Sequence, residues 1–300
     1  MDNDNSVIYG LEFQQANNQI HLVEFNEEIS TIKTSVYHHS DGEIWKITTS
    51  PIDSSKLATC YNSVTNESSC TMKSAILKLP ETENPANIEN LEMATKLDTS
   101  PFGTEVRTTD FQPTDSNKAA SVTESHIILW DISESDGKSI LNIQLEGKNS
   151  PKFTTGRWNP HQNCNQFTAA TETHLKTYDI RTGELAWSID GVHSQVWCVR
   201  FNHFHDQLIL TASSDARVLI SSAASVSSEN TGETCIVDEN DGLETKQILS
   251  DGPLQWCEHE DSVYCAEWSP AEPWVFASLS YDGRLLISRV KKSLKYQIML

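Results

Sequence analysis

Short apolar runs alternate with polar residues along most of the chain, and turn residues punctuate them. The clearest set stands near the C-terminus. Residues 263–268 and 275–279 alternate, a Pro-containing turn separates them, and 285–287 follows the Asp282-Gly283 turn. Period-two alternation with this punctuation predicts short strands joined by hairpins. The stretch 263–270 (VYCAEWSP) has a close copy at 196–203 (VWCVRFNH), and looser copies lie at 44–51, 106–113 and 153–160. Successive starts are 62, 47, 43 and 67 residues apart. The shorter two intervals fit the roughly 40–45 residues of a propeller blade, and the longer two imply insertions.

Further runs fill in the units. Residues 7–13 and 20–25 read as strands of an incomplete first blade, and 57–61 and 75–79 continue the unit that opens at Ile44. The unit from 106 ends in His126-Ile127-Ile128-Leu129-Trp130-Asp131, the ending that marks WD40 repeats. The unit from 153 ends comparably in Tyr178-Asp179 and the turn Arg181-Thr182-Gly183. Two stretches break the pattern. Residues 81–98 are polar and acidic, and 221–251 carries many Ser and acids against one base, Lys246. Both predict flexible acidic insertions. The tail, 291–300, alternates enough to predict a strand that pairs with the first blade and closes the ring. The expected fold is therefore all-β: a single WD40 β-propeller domain over 1–300, with five to six blades visible.

The polar residues with a chemical reading recur at the blade spacing. His193 precedes Asp215 by 22 residues and His259 precedes Asp282 by 23, while Thr211 and Ser278 each stand four residues before the Asp. A His, a hydroxyl and a carboxylate are also the parts of a hydrolytic triad. A triad has no reason to occur twice at repeat spacing, so these groups predict a buried hydrogen-bond network bracing each blade. The blade endings Trp130, Asp131, Tyr178 and Asp179 belong to the same expected network. No unit carries the full set: Ser221 and Ser288 stand where the terminal Trp belongs, and Glu124 and Glu172 replace the Asp. Stability is then expected to rest more on strand packing.

Other candidates are sparse. His161 with Cys164, and His203 with His205, have no further ligands at zinc spacing. The chain lacks a Gly-rich phosphate loop, GxSxG and HExxH. Trp187, Trp256 and Trp274 fall near strand ends or loops, where they either pack between blades or present a binding surface. Arg157, Arg200, Arg217 and Arg284 recur at similar blade positions, for hydrogen bonding along one face or for holding a peptide carboxylate.

Charge narrows the partners. The formal net charge is −20, which disfavours nucleic acid and direct docking on anionic lipid. No apolar run reaches the roughly 18 residues of a membrane span. The acidic N-terminus is unlike a secretory signal, and seven Cys without a CxxC spacing read as free thiols. These features predict a cytoplasmic protein.

Several stretches carry a resemblance: 1–14 (MDNDNSVIYGLEFQ), 42–45 (GEIW), 126–131 (HIILWD), 152–160 (KFTTGRWNP), 201–217 (FNHFHDQLILTASSDAR) and 258–300. Through them the chain resembles the EARP and GARP complex-interacting protein family. The resemblance implies a non-enzymatic seven-bladed adaptor without a cofactor. It implies partners among the EARP and GARP vesicle-tethering complexes, at endosomes and the trans-Golgi network. The implied roles are endosomal recycling, retrograde transport and dense-core vesicle cargo sorting. The chain is shorter than the family pattern after Gln14 and between Ile189 and Val192, as a splice variant or an incomplete gene model would be. A propeller serving a ubiquitin ligase as substrate receptor is the alternative within the class. A propeller hydrolase would need carboxylates or metal ligands converging on its channel.

Overall fold

The computed structural model describes residues 5–12, 18–26, 29–66, 69–80, 89–144, 152–191, 195–228 and 251–299. The chain divides into two compact units, Met1–Gln144 and Leu145–Leu300. Each carries three sheets built as propeller blades, six in all among the described residues. The fold is an all-β WD40 propeller, at the upper end of the expected blade count.

In the first unit, blade 1 contains β1 (Asn5–Glu12), β2 (Asn18–Asn26) and β3 (Thr31–His39), and blade 2 contains β4 (Glu43–Thr49), β5 (Lys56–Asn66) and β6 (Ser69–Lys78). The two-residue β7 (Glu89–Asn90) pairs in parallel with β3, and β8 (Glu92–Leu97) pairs with β6. Blade 3 runs through β9 (Val106–Phe111), β10 (Lys118–Thr123), β11 (His126–Asp131) and β12 (Lys138–Gln144). Gly42 makes the turn into blade 2 with φ 135°, and a Cβ there would meet the Asn62 carbonyl oxygen at 1.8 Å. Only glycine allows that approach.

In the second unit, blade 4 contains β13 (Thr155–Trp158), β14 (Gln166–Ala170), β15 (His174–Asp179) and β16 (Leu185–Asp190). Blade 5 contains β17 (Val196–Phe201), β18 (Leu208–Ser213), β19 (Arg217–Ser222) and β20 (Gly252–Glu258). Blade 6 contains β21 (Val263–Trp268), β22 (Val275–Ser280) and β23 (Leu285–Arg289), and the helix α1 (Lys292–Met299) follows it. Within each unit the first strands of neighbouring blades lie side by side: β4 beside β9, β13 beside β17, and β17 beside β21.

The core sits between blade faces, because a blade in this array buries both sides. Ala58 and Ile76 of blade 2 meet Phe111, Ile128 and Trp130 of blade 3. Leu210, Val218 and Ile220 of blade 5 meet Val263, Ala266, Trp268 and Phe276 of blade 6. Removing such a side chain from water contributes about 1.5–3 kcal/mol each. A hydroxyl cluster crosses the first interface: Thr109 Oγ1 lies 2.7 Å from Ser74 Oγ and 2.8 Å from Ser121 Oγ.

Three expectations need correction. The tail is a helix, not a strand. Leu294 and Ile298, four apart, are buried against blades 5 and 6, while Tyr296, which strand alternation would place beside them, is exposed. The stretch 81–98 is not a loop throughout, since β8 occupies part of it and buries Thr95 and Leu97. In 221–251, Ser221 and Ser222 belong to β19 and are buried, and residues up to 228 are ordered against Asp206 and Asp251. That stretch joins β19 to β20 inside blade 5 and does not lead to a new blade. Residues 81–88 and 229–250 lie outside the described residues, as does His193.

Candidate protein-interaction face

A β-bulge recurs at one position of the first strand in four blades. In blade 5, Val196 pairs with Ser213 and Cys198 with Ala212, so Trp197 has no opposite residue. In blade 6, Val263 pairs with Ser280 and Cys265 with Leu279, which leaves out Tyr264. Blade 2 does the same at Trp45, between Ile44 and Lys46, and blade 3 at Arg107, between Val106 and Thr108. The residue before each bulge (Ile44, Val106, Val196 or Val263) is buried. A bulge inserts one residue and turns it out of the pleat. Trp45, Trp197 and Tyr264 are accordingly 62%, 38% and 40% exposed.

In the second unit β17 and β21 are neighbours, and each presents one exposed bulge aromatic, Trp197 and Tyr264. Tyr264 packs on Tyr281, ring centroids 4.9 Å apart and planes at 51°. Tyr281 is 70% exposed and is held by its N–H, which donates to the Ser262 carbonyl at 3.0 Å. Ion pairs at the starts of β19 and β23 stand in the same blades, Arg217 with Glu258 at 3.8 Å and Arg284 with Glu260 at 2.5 Å. Exposed aromatics are enriched at protein-binding surfaces. Nothing in the sequence periodicity marked these residues. The signal lay in the register, in the extra residue that the pairing of each first strand has to accommodate.

The hydrogen-bond candidates are distributed unevenly. His259 Nε2 lies 2.8 Å from Ser278 Oγ, and Nδ1 lies 3.0 Å from Ser280 Oγ. Ser280 Oγ donates to Asp282 Oδ1, which commits its hydrogen. His259 therefore carries its proton on Nδ1, donates it to Ser280 and accepts from Ser278 through Nε2. Burial pushes the His259 imidazole below its usual range, against the pull of the Asp282 charge. The Asp282 carboxyl lies below the carboxylate range because Ser280 donates to it. Ser280, the link between His259 and Asp282, stands two residues before the Asp and outside the four-residue spacing that the blades repeat. Ser278 is 1% exposed, so no substrate reaches its hydroxyl.

In blade 2 His39 Nε2 lies 3.2 Å from Thr59 Oγ1, while in blade 5 His193 is outside the described residues. Thr211 donates to the Leu219 carbonyl at 3.4 Å, and Asp215 accepts from Arg217 N–H at 3.1 Å. Asp131 accepts from the N–H and hydroxyl of Ser133, and Asp179 from Arg181. Both carboxylates fix turns on the surface, and those donors hold them below the usual range. Trp130 and Tyr178 are buried in the core, with Trp130 edge-on to Phe102. The two Asp residues thus act on turns and not within a buried network, because the side chain after the core-facing aromatic points out of the pleat.

The remaining candidates have their own places. His161 Nε2 lies 2.7 Å from the Asn202 carbonyl, the Cys164 thiol donates to the Pro160 carbonyl at 3.3 Å, and His205 packs on Trp274. Among the described residues no three His, Cys, Asp or Glu groups stand together as a metal set. Trp187 donates to Gln166, and Trp274 sits against the core under Lys295, whereas Trp256 is exposed on β20. Arg200 binds Glu267 at 2.5 Å between β17 and β21, so this arginine already has its carboxylate.

Known proteins decide the affiliation. The model "WD domain, G-beta repeat" matches residues 183–220 and 253–287. An EARP-interacting protein homolog of Gekko japonicus is 36% identical, with all of both chains covered. The chain belongs to the EARP and GARP complex-interacting protein family. The human EARP and GARP complex-interacting protein 1 is 35% identical, again over the whole of both chains. EARP-interacting protein 1 of Caenorhabditis elegans is 30% identical over 94% of this chain and 89% of its own. The alignment with the gecko family member spans 390 positions against 300 residues here. This agrees with a shortened member of the family. Among the described residues no helix is long and apolar enough to cross a membrane.

Proposed function

We propose that the chain is a non-enzymatic scaffold, acting over residues 1–300 as one WD40 domain, that binds subunits of the EARP and GARP tethering complexes. On this reading it works on the cytoplasmic face of endosomes and the trans-Golgi network. Its roles are endosomal recycling, endosome-to-Golgi retrograde transport and dense-core vesicle cargo sorting, without a cofactor. The exposed aromatics Trp197, Tyr264 and Tyr281 are the observation that carries it, together with relatives whose names state these partners. Large exposed aromatics on rigid strands are the residue types that dominate protein interfaces. The polar groups at His193, Thr211, Asp215, His259, Ser278 and Asp282 are assigned to bracing the blades. The burial of Ser278 supports that over hydrolysis.

The test is affinity capture from cells with the tagged full chain and its Trp197→Ala/Tyr264→Ala variant. The wild type is expected to recover tethering-complex subunits, and the double variant to lose them by at least about tenfold, as two interface anchors would. Both side chains still bury more than half of their surface, so the variant's melting curve is compared with that of the wild type to separate lost binding from lost folding. Recovery of no tethering subunits by the wild type, or of ubiquitin-ligase subunits in their place, sinks the reading. Equal recovery by the variant removes these aromatics from it.

A further inference from the structure

Among the described residues blade 6 is one strand short. Each of the other five sheets contains four strands, whereas no strand among the described residues pairs with the outer side of β23. The hydrogen bonds fix which backbone groups face outward. Ser280 N–H donates to the Arg284 carbonyl at 3.3 Å, and Val290 N–H donates to the Trp274 carbonyl at 2.9 Å. Residues 284 and 290 therefore turn their backbone groups toward β22. Period two then directs the N–H and C=O of Leu285, Ile287 and Arg289 away from the sheet. The side chains at two of these positions are apolar and open, Leu285 at 63% and Ile287 at 73% exposure. Folded proteins ordinarily blunt such an edge with charge, proline or a covering segment.

One end of the edge already holds an amide. The Gln255 carboxamide donates to the Arg289 carbonyl at 3.2 Å and accepts from Lys291 N–H at 2.8 Å. A residue of a parallel neighbouring strand makes this same pair of bonds, to a carbonyl and to the N–H two residues on. The edge thus binds an amide at its far end, and the segment from Leu285 to Ile287 stays open beside it.

Charge selects the occupant. From residue 283 onward the chain has Arg284, Arg289, Lys291, Lys292 and Lys295 and no acid, in a protein of net charge −20. Arg284 is paired with Glu260 and Arg289 lies 3.9 Å from Glu272, but Lys291 and Lys292 are exposed beside the end of the strand. The geometry points to β23 as the docking edge for an extended acidic segment of a partner protein. That segment adds as a fourth strand, lays alternate apolar side chains over Leu285 and Ile287, and sets its carboxylates near Lys291 and Lys292. A second copy of the chain fits less well, because its own β23, Leu285–Arg289, carries no carboxylate to set against Lys291 and Lys292. Trp197 and Tyr264 lie on the first strands β17 and β21, with β22 between β21 and this edge, so the two proposals are tested with different variants.

The probe is a fluorescein-labelled nine-residue peptide of alternating valine and glutamate, titrated by anisotropy into the full chain. Saturable binding is expected, with slowed amide exchange at residues 285–289. The Lys291→Glu/Lys292→Glu variant is expected to weaken it about tenfold through two reversed surface charges. A peptide of alternating valine and lysine, and a glutamate peptide N-methylated on alternate amides, are expected not to bind. The methylated peptide tests strand addition without altering the protein. Absence of saturable binding, equal binding of the lysine or methylated peptide, or protection elsewhere overturns the proposal. A dimer in sedimentation with residues 285–289 protected before any peptide is added overturns it in favour of a second copy.

Discussion

Thr109→Val tests what the hydroxyl cluster between blades 2 and 3 contributes. The substitution keeps the β-branched shape and deletes one oxygen. That oxygen meets Ser74 Oγ at 2.7 Å, Ser121 Oγ at 2.8 Å and, more weakly, the Cys60 thiol at 3.8 Å. All four residues are buried, so water cannot replace the lost partner. Leaving a buried hydroxyl unpaired costs about 1–3 kcal/mol. Two such groups, with some relief as the serines rotate toward backbone carbonyls, give an expected loss of about 2–4 kcal/mol. That is a large part of a typical stability of about 5–15 kcal/mol. The Ser74→Ala/Thr109→Val/Ser121→Ala variant removes all three oxygens and leaves none stranded. It is expected to be more stable than Thr109→Val by at least about 1 kcal/mol, despite carrying more changes, because only the single substitution leaves orphans. Urea unfolding followed by far-ultraviolet circular dichroism measures both, and the fluorescence of Trp130, in the same interface, tracks the first unit. The reasoning is refuted if Thr109→Val lies within about 0.5 kcal/mol of wild type. It is refuted equally if the triple variant is the less stable of the two.

Two further predictions concern the histidines and the C-terminal helix. His39 and His259 both sit below the ordinary imidazole value of 6.5, with burial the largest cause in each. The unfolded chain therefore binds these protons more readily, so stability is full above pH 6.5 and declines as the pH falls below it. The urea midpoint is expected to drop between pH 7 and 5, and to drop less in His259→Gln; a flat wild-type profile would contradict this. Leu294→Ala should cost about 2–4 kcal/mol by emptying a core position, whereas Tyr296→Ala, on the open side of α1, should stay within about 0.5 kcal/mol in thermal melts. Equal effects at the two positions would mean that α1 does not dock as described.

The strands were legible because each blade repeats one physical pattern. The runs at 106–111, 196–201 and 263–268 correspond to β9, β17 and β21 almost residue for residue, since alternation and turn residues act locally. What the pattern could not reveal depended on distant partners. Polar Glu92–Leu97 becomes a strand because β6 offers it an unpaired edge. Gly252–Glu258 opens no blade because β19 takes it across the intervening segment. The tail reads equally well at period two or near four, and the pocket formed by blades 5 and 6 selects the helix. The histidine network was readable in its ends, His259 and Asp282, but not in Ser280. A serine two residues before an aspartate is common in turns, and only the fold puts it against the imidazole.

The bulge aromatics follow a different logic from the core. In an ordinary strand the pleat assigns each side chain to one face, so a residue's size answers to its neighbours. A bulge releases one residue from that assignment. Four first strands place their bulge at the same position, so the bulge itself belongs to the blade design. The side chain there does not. Blade 3 fills the position with Arg107, which pairs with the adjacent Glu105 and leaves β9 paired on both sides of the bulge. A polar residue therefore satisfies the local structure. Trp45, Trp197 and Tyr264 present part of a large apolar ring to water at that same position. The exposed part of each ring is what a partner surface would remove from water, and on the proposed reading the bulge position, more than any residue in the polar networks, is where the blades meet a partner.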